Sequence, residues 1–288
     1  MPWRRRCASP PEFLLSERKI ELTGVDFRKA PHTAAREERA VEAAVLDQVE
    51  RYLELEELLA ADEGTWSPPR SAPFAIGEVE DAELAAEALR RLWSLGTDPI
   101  PAMTELLEDM GIKVIALDLP QCVSGSKAFV QQSGQCAVPV IVINKNHNGE
   151  RQRFTLAHEL GHLVLRFTEM SDAEQEKAAD RFAGALLMPK EMMTRLLGGH
   201  RTSISIGELV ELKKIFQVSV ASLAVRCSQL GVISKAAHGR LWGQIRAMGW
   251  NSPGSNEPHK LPRRSAATHG AHVPASRRRA GHFGSERG

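Results

Sequence analysis

The sequence predicts an α+β protein that is mostly helical. Two observations carry this prediction. Most of the chain repeats apolar residues at helical spacing, with charged residues between them. Two short runs, over 113–117 and 138–144, are instead rich in β-branched residues, as strands are. A third observation concerns the end of the chain. From about residue 251 it is rich in Pro, Gly, Ser and Arg, and we expect this tail to be disordered because it has few large apolar side chains to bury.

Composition excludes several classes of protein. The 288 residues include 37 Lys and Arg against 36 Asp and Glu, a net charge of +1, so the chain is not a polycation built for nucleic acid. Four Cys lie far apart without a C-x-x-C pair, which favours reduced thiols over a disulfide framework. No apolar run reaches the roughly 18 residues of a membrane span, and none follows the basic first residues. We therefore expect a cytoplasmic protein with no membrane partner.

Changes in composition divide the chain into three regions. Residues 1–75 contain a charged helix, from about Thr33 to Ala61, and a linker rich in Pro and Ser. Residues 76–235 contain the remaining predicted elements, and their last part, about 203–235, is predicted to be a helical subdomain. Residues 236–288 form a C-terminal extension that includes the disordered tail.

Residues 76–235 alternate between helical and extended patterns. In chain order we predict helices over 79–93 and 103–110, strands over 113–117, 127–130 and 138–144, then helices over 154–167, 171–187, 205–216 and 219–230. The two later strands form a hairpin around a Ser-Gly turn. Pro139 favours an edge position for its strand, because Pro cannot donate a ladder hydrogen bond.

The helix over 154–167 carries the motif His158-Glu159-Leu160-Gly161-His162. Residues four apart share one helix face, so the two imidazoles can reach a single metal ion. Glu159 lies beside them and can accept a proton from a metal-activated water without being a ligand. The surrounding residues are apolar, and two His and a Glu are costly in a core unless they are paired or bind a metal. The pattern therefore favours a zinc hydrolase over a buried helix with incidental His residues.

A catalytic zinc site needs a third protein ligand, and the next helix offers Glu174, Glu176 and Asp180. Glu176 and Asp180 are four apart and share a face, whereas Glu174 is interpreted as a solvated residue. We predict that Glu176 binds the metal, since the small residues after it allow close helix packing. Asp180 is then placed to accept the free ring N–H of a ligand His.

The chemistry also needs a donor that stabilises the oxyanion together with the metal. Three residues are candidates: Arg153, His147 and His200. Tyr52 is the only Tyr in the chain and lies far from the motif in sequence.

Two segments resemble the ImmA/IrrE family of metallopeptidases. One runs from Arg151 to His162, and the other from Glu176 to Ala183, followed by Leu-Leu-Met-Pro. Their order and spacing are far more specific than H-E-x-x-H alone, and the resemblance covers about residues 79–233. It implies a zincin-like (gluzincin-like) zinc peptidase, in which a small sheet lies beside the active-site helix. In such a fold an edge strand, matched here by Val138–Asn144, can hold a peptide substrate by strand addition.

The resemblance also implies a function. Family members typically act inside bacteria on one repressor protein, and its cleavage switches on stress-response or mobile-element genes. We therefore expect an intracellular zinc-dependent endopeptidase whose substrate is a repressor of the helix-turn-helix type. Two alternatives stay open: a zinc-binding regulatory or sensor module that cleaves nothing, and a DNA-binding regulator. A metal-binding module has no need of Glu159, which favours the enzyme.

Direct DNA binding is in doubt for this chain. Many relatives carry a helix-turn-helix domain in front of the peptidase, and this sequence lacks a clear one there. The helices over 205–216 and 219–230, joined at Gln217-Val218-Ser219, do have helix-turn-helix spacing. The resemblance favours a structural role for them, and the Arg-rich tail is interpreted as a charged, solvated segment.

Overall fold

The computed structural model describes residues 20–23, 35–58, 66–132, 137–252 and 255–263. Within these ranges the strands are β1 (Ile20–Thr23), β2 (Phe74–Ile76), β3 (Lys113–Leu117), β4 (Gly125–Gln132), β5 (Val138–Asn144) and β6 (Leu165–Phe167). The helices are α1 (Ala35–Leu58), α2 (Asp81–Leu92), α3 (Met103–Asp109), α4 (Gly149–Val164), α5 (Asp172–Leu187), α6 (Lys190–Leu197), α7 (Ile206–Phe216), α8 (Val220–Gln229) and α9 (Lys235–Ala247). Within the described residues, no helix combines the length and the apolar character that a membrane-spanning helix needs.

Four strands form one mixed sheet in the order β1-β4-β5-β3. The predicted hairpin is present, with β4 antiparallel to β5, while β3 runs parallel to β5 with Ile115 opposite Val142. β1 pairs antiparallel with the second half of β4. A separate small sheet pairs β2 with β6, which directly follows α4. The α+β class is thus confirmed, although β1, β2, β6 and α9 are elements that the sequence patterns did not indicate.

The prediction that β5 is an edge strand is wrong. β5 lies between β4 and β3 and pairs with both. Pro139 is tolerated there because the ladder with β3 begins one residue later, at Val140, so no bond on that side requires its missing N–H. Among the described strands the sheet ends at β1 and β3. Because β1 covers only Phe129–Gln132 of β4, no described strand pairs with Gly125–Ala128 on that side either.

α4 is buried between the sheet and α5. Its apolar residues Leu156, Ala157, Leu160 and Val164 join the largest hydrophobic core. Small residues on both helices permit their close approach: a Cβ on Gly161 would lie 3.1 Å from the Phe182 ring. This packing brings the polar face of α4 towards the first half of α5.

The opposite face of the sheet is covered by α1. Val45 and Val49 pack against Ile115, Val140 and Val142 in a second, smaller core. At the same face the Lys113 ammonium lies 4.9 Å from the ring centroid of Tyr52, a cation–π contact. Residues 35–58 therefore pack on the same sheet as the peptidase-like region, while the domain boundaries at residues 75 and 235 stay predictions.

A buried ion-pair cluster attaches α8 to the rest of the fold. Arg226, with a fully buried side chain, donates to Glu83 of α2 at 2.6 Å and to the Met188 carbonyl at 2.9 Å. Arg181 of α5 also donates to Glu83, at 2.7 Å. Buried charges persist only where they are paired and hydrogen-bonded, and this cluster meets that requirement.

The expectation of disorder from about residue 251 is wrong for the segment 255–263, which we call the strap. The Glu257 carboxylate accepts hydrogen bonds from Lys213 Nζ at 2.9 Å and from the Val220 backbone N–H at 3.0 Å. Further along, the Leu261 N–H donates to Glu150 at 3.1 Å. The low apolar content of the strap suggested disorder. The strap is held instead by charge pairing and by a hydrogen bond at the N-terminus of α8, which do not depend on apolar burial. Residues 264–288, where the predicted disorder continues, lie outside the described residues.

Candidate active site

Local capping sets where α4 and α5 begin. The Asn148 side chain accepts from the Arg151 N–H at 2.9 Å and starts α4. α5 begins with a capping box, in which Glu174 accepts from the Ser171 N–H at 2.9 Å. The Ser171 hydroxyl also holds the pKa of Glu174 below its usual value. Glu174 is therefore engaged in the cap, and the next carboxylates of the helix face α4.

Three of the predicted residues converge on one point. His158 Nε2 and His162 Nε2 lie 3.2 Å apart. Glu176 places one carboxylate oxygen 3.5 Å from His158 Nε2 and the other 3.4 Å from His162 Nε2. These are the residues within the described ranges that could hold a metal ion as a group of three.

The spacing of these atoms fits a tetrahedral metal ion. Zinc binds His nitrogen and carboxylate oxygen at about 2.0–2.1 Å, so adjacent ligand atoms of a tetrahedral site lie about 3.3–3.4 Å apart. The two ring nitrogens lie 3.2 Å apart, and each is 3.4–3.5 Å from a different oxygen of the Glu176 carboxylate. Two neutral imidazoles, one carboxylate and an open fourth direction are also the donor set of a catalytic zinc site. The residues present therefore fit a zinc ion.

Asp180 lies behind His158. Its Oδ1 is 2.9 Å from His158 Nδ1, on the ring edge opposite Nε2. A proton on Nδ1 then donates to the carboxylate, and Nε2 is left with its lone pair for a metal. Asp180 therefore lies where it could orient His158 as predicted, and that role stays a prediction.

Glu159 faces a cleft that runs along α4. The cleft has a volume of about 310 Å³, and Glu159 is only 7% exposed within it. Its far wall is the start of β4, where Gly125 lies so close that an added Cβ would be 3.8 Å from Glu159 Cγ and 2.5 Å from Thr155 Cγ2. The other lining residues are Cys122, Val123, Ser124, Arg151, Phe154, His158, Glu176 and Asp180.

The three candidates for oxyanion stabilisation do not line this cleft. Arg153 is buried against α3 and donates to the Ile100 carbonyl, and burial lowers its pKa to about 10. His147 pairs with the Gln121 carbonyl, and burial together with the Arg151 charge lowers its pKa. His200 lies near the Gly231 carbonyl in the C-terminal helices.

Arg151 does line the cleft, and the sequence reasoning missed it. It precedes His158 by seven residues, which is two helical turns, so it lies on the same face of α4. Arg153, two residues later, points about 200° away and enters the core. Spacing from the metal motif was therefore the signal that could have separated the two arginines.

The helices α7 and α8 do not present a basic face for DNA. Arg226 is the only Lys or Arg in α8, and it is buried in the ion pair with Glu83. Lys213 of α7 is buried as well, against Glu150 and Glu257, and the more exposed Lys214 is paired with Glu211 of the same helix. The observed packing favours the structural role predicted for these helices over groove reading.

Comparison with known proteins finds a family model and two relatives that this part of the chain resembles. Residues 107–228 match the model of Peptidase_M78, the IrrE N-terminal-like domain. Two relatives are called radiation response metalloprotease IrrE. The one from Deinococcus deserti is 42% identical over 71 residues, which are 20% of this chain and 25% of the relative. The one from Deinococcus radiodurans is 34% identical over 96 residues, which are 29% of each chain. These alignments span less than a third of the relatives' own length, and the family match contains both α4 and α5. These matches therefore support an ImmA/IrrE-like metallopeptidase domain in residues 107–228.

Proposed function

We propose that this chain is an intracellular zinc-dependent endopeptidase with a zincin-like fold, which cleaves a repressor of the helix-turn-helix type and so switches on stress-response or mobile-element genes. The observation that carries the proposal is the convergence of His158, His162 and Glu176 beside Glu159. The printed name of the two relatives, a radiation response metalloprotease, supports a role in a stress response.

The roles of the site residues follow from their positions. His158, His162 and Glu176 would hold the zinc ion, which when bound supplies Lewis-acid activation of a water molecule. Glu159 accepts the proton of the attacking water and delivers it to the leaving amine. Asp180 holds the His158 ring in the tautomer that leaves Nε2 free.

The open edge of β4 is the place for a peptide substrate. β4 runs beside α4, since Gly125 approaches Thr155 and Glu159 while Lys127 Nζ donates to the His162 carbonyl at 2.9 Å. A peptide added along Gly125–Ala128 would pass directly over Glu159. This assigns strand addition to β4 in place of β5, which has no open edge.

Wild type and Glu159→Gln expressed in the native host test the proposal. We expect both proteins to bind zinc and only the wild type to cut a repressor-like protein, because Gln cannot accept the proton of water. Comparison of the two proteomes identifies the substrate in the same experiment. A Glu159→Gln protein that still cleaves would remove Glu159 from the proposed role.

Zinc content separates the proposed ligand from its neighbour. Glu176→Ala should lower zinc affinity by about tenfold or more, since one of three protein ligands is lost. Glu174→Ala is the matched control, because it removes a carboxylate of the same helix that serves only the cap. Equal zinc retention by the two purified variants, measured by mass spectrometry of the metal, would contradict the assignment.

The alternatives make different predictions. A zinc sensor that cleaves nothing would bind zinc in both wild type and Glu159→Gln, and the two proteomes would not differ. A DNA-binding regulator would retard genomic fragments in an electrophoretic shift assay. The burial of Arg226 argues against the second alternative.

A further inference from the structure

A positively charged residue, Arg151, lies at the end of the cleft that is remote from the proposed metal ligands. Arg151 is the only Lys or Arg among the described residues that line the cleft, and it faces three carboxylates, Glu159, Glu176 and Asp180, at the other end. The cleft is therefore polarised along its length. A peptide lying in it meets negative charge near the metal ligands and positive charge near the N-terminus of α4.

The Arg151 guanidinium has no anionic partner among the described residues. It is half-buried, and its Nη2 donates to the Ser124 hydroxyl at 2.7 Å. No described carboxylate lies within ion-pair distance of it, and burial holds its pKa below the usual value. By contrast, the buried Lys213 and Arg226 are each paired with carboxylates. A partly desolvated guanidinium that faces an open cleft gains most from a carboxylate supplied by a ligand.

The distance from the reacting centre determines which part of a substrate could supply that carboxylate. Arg151 lies seven residues before His158, so their Cα atoms are about 10 Å apart along the helix axis. An extended peptide advances about 3.3 Å per residue, so about three residues separate the two positions. Arg151 therefore stands at most about three peptide residues from the reacting centre, close enough to contact a substrate side chain. Ser124, which is bonded to Arg151, directly precedes Gly125, which faces Glu159, so the start of β4 connects the two positions.

We infer that Arg151 is a specificity-determining residue, which selects substrates with an acidic side chain within about three residues of the cleaved bond. The inference rests on the proposed peptidase function and names a feature of its substrates. The Ser124 hydroxyl positions the guanidinium, and the Phe154 ring beside it limits the space for larger groups. The carboxylate would complete an ion pair that the chain leaves open.

Peptide binding tests the inference without requiring cleavage. The probes are fluorescent extended peptides that carry a single Glu, whose position is moved along the chain, and twins with Gln in its place. The zinc-loaded Glu159→Gln protein should bind one Glu peptide about tenfold more tightly than its twin. Adding Arg151→Gln should abolish that preference, because the amide can still donate to Ser124 but carries no charge. Arg246→Gln is the matched control, since Arg246 is exposed on α9 and should leave the preference intact.

The other outcomes distinguish a failure of the inference about Arg151 from a failure of the proposed peptidase function. No preference for any Glu peptide, or a preference that survives Arg151→Gln, overturns the inference. Cleavage of the peptides by wild type with equal efficiency for Glu and Gln twins overturns the inference and retains the peptidase. A preference that depends on Arg151 in a protein that cleaves none of the peptides it binds retains the acidic subsite and argues against the proposed activity.

Discussion

Gly125→Ala tests the close approach of β4 to α4, on which the shape of the cleft depends. A Cβ at this position would lie 2.5 Å from Thr155 Cγ2 and 2.7 Å from the Val142 carbonyl oxygen, about 1 Å short of an ordinary contact. Because one of these atoms belongs to the backbone of β5, a rotamer change cannot relieve both contacts. Overpacking of this kind costs about 1–3 kcal/mol of unfolding free energy. A displacement of about 1 Å beside the reacting groups should also lower peptidase activity by about 100-fold.

Urea denaturation measures the stability change, and hydrolysis of a fluorogenic peptide pool measures activity. Gly239→Ala is the control: this helical Gly of α9 has no heavy atom within 4 Å of an added Cβ, so Ala should stabilise by about 0.5–1 kcal/mol. Adding Thr155→Ser to Gly125→Ala removes one of the two clashes and should restore only part of the loss. If Gly125→Ala were as stable and as active as wild type, β4 would not lie against α4 as described.

Two further features of the core make predictions. Glu83→Gln should lower the unfolding free energy by about 3 kcal/mol, because it leaves the buried Arg226 guanidinium without its anion. The control is Glu191→Gln at an exposed ion pair, which should change the unfolding free energy by less than about 0.5 kcal/mol in the same urea titrations. Burial raises the pKa of Glu83, but hydrogen bonds and charge from Arg226 outweigh it, so the folded-state pKa lies below 4.5. The ion pair therefore contributes fully above about pH 4.5, and the difference between wild type and Glu83→Gln should shrink as the pH falls through the folded-state pKa; a constant difference down to pH 2 would contradict this. Burial also raises the pKa of the Cys227 thiol to about 11. At about pH 8 a maleimide should therefore modify the exposed Cys122 and leave Cys227 unmodified until the protein unfolds. Peptide mass spectrometry measures the modification of each cysteine.

The comparison of Arg151 with Arg153 shows where sequence reasoning about the site stops. Both arginines lie close to the metal motif on one helix, and the sequence analysis names only Arg153 as a candidate for oxyanion stabilisation. The helix turns by about 100° per residue, so the two point to different surroundings. Helical spacing puts Arg151 on the face of His158 and Arg153 on another face, and the packing of α4 against α3 and β4 decides that the first face borders the cleft and the second enters the core.

The prediction that β5 is an edge strand is wrong for a related reason. Pro139 carries a local signal for an edge, but the position of a strand in a sheet depends on partners far away in sequence. Here β3 pairs with β5 from Val140 onwards, and the hairpin with β4 occupies the other side. Among the described strands, β3 is an edge strand and Gly125–Ala128 of β4 lacks a second partner, and no Pro in either strand indicated this. Likewise, the strap is held by Lys213 and the N-terminus of α8, which its own composition does not reveal.

The sequence by itself determined the helix that carries His158, Glu159 and His162, the cap that starts α5, and the spacing that sets Glu176 and Asp180 on one face. All of these depend on residues within one or two helical turns, where geometry is the same in every helix. The tertiary structure alone decided that the two helices bring their ligand residues together, and that Arg151 lines the cleft. It also decided that Gly125–Ala128 of β4 has no second partner among the described strands. These contacts join segments distant in sequence, and the packing of the whole core selects among them.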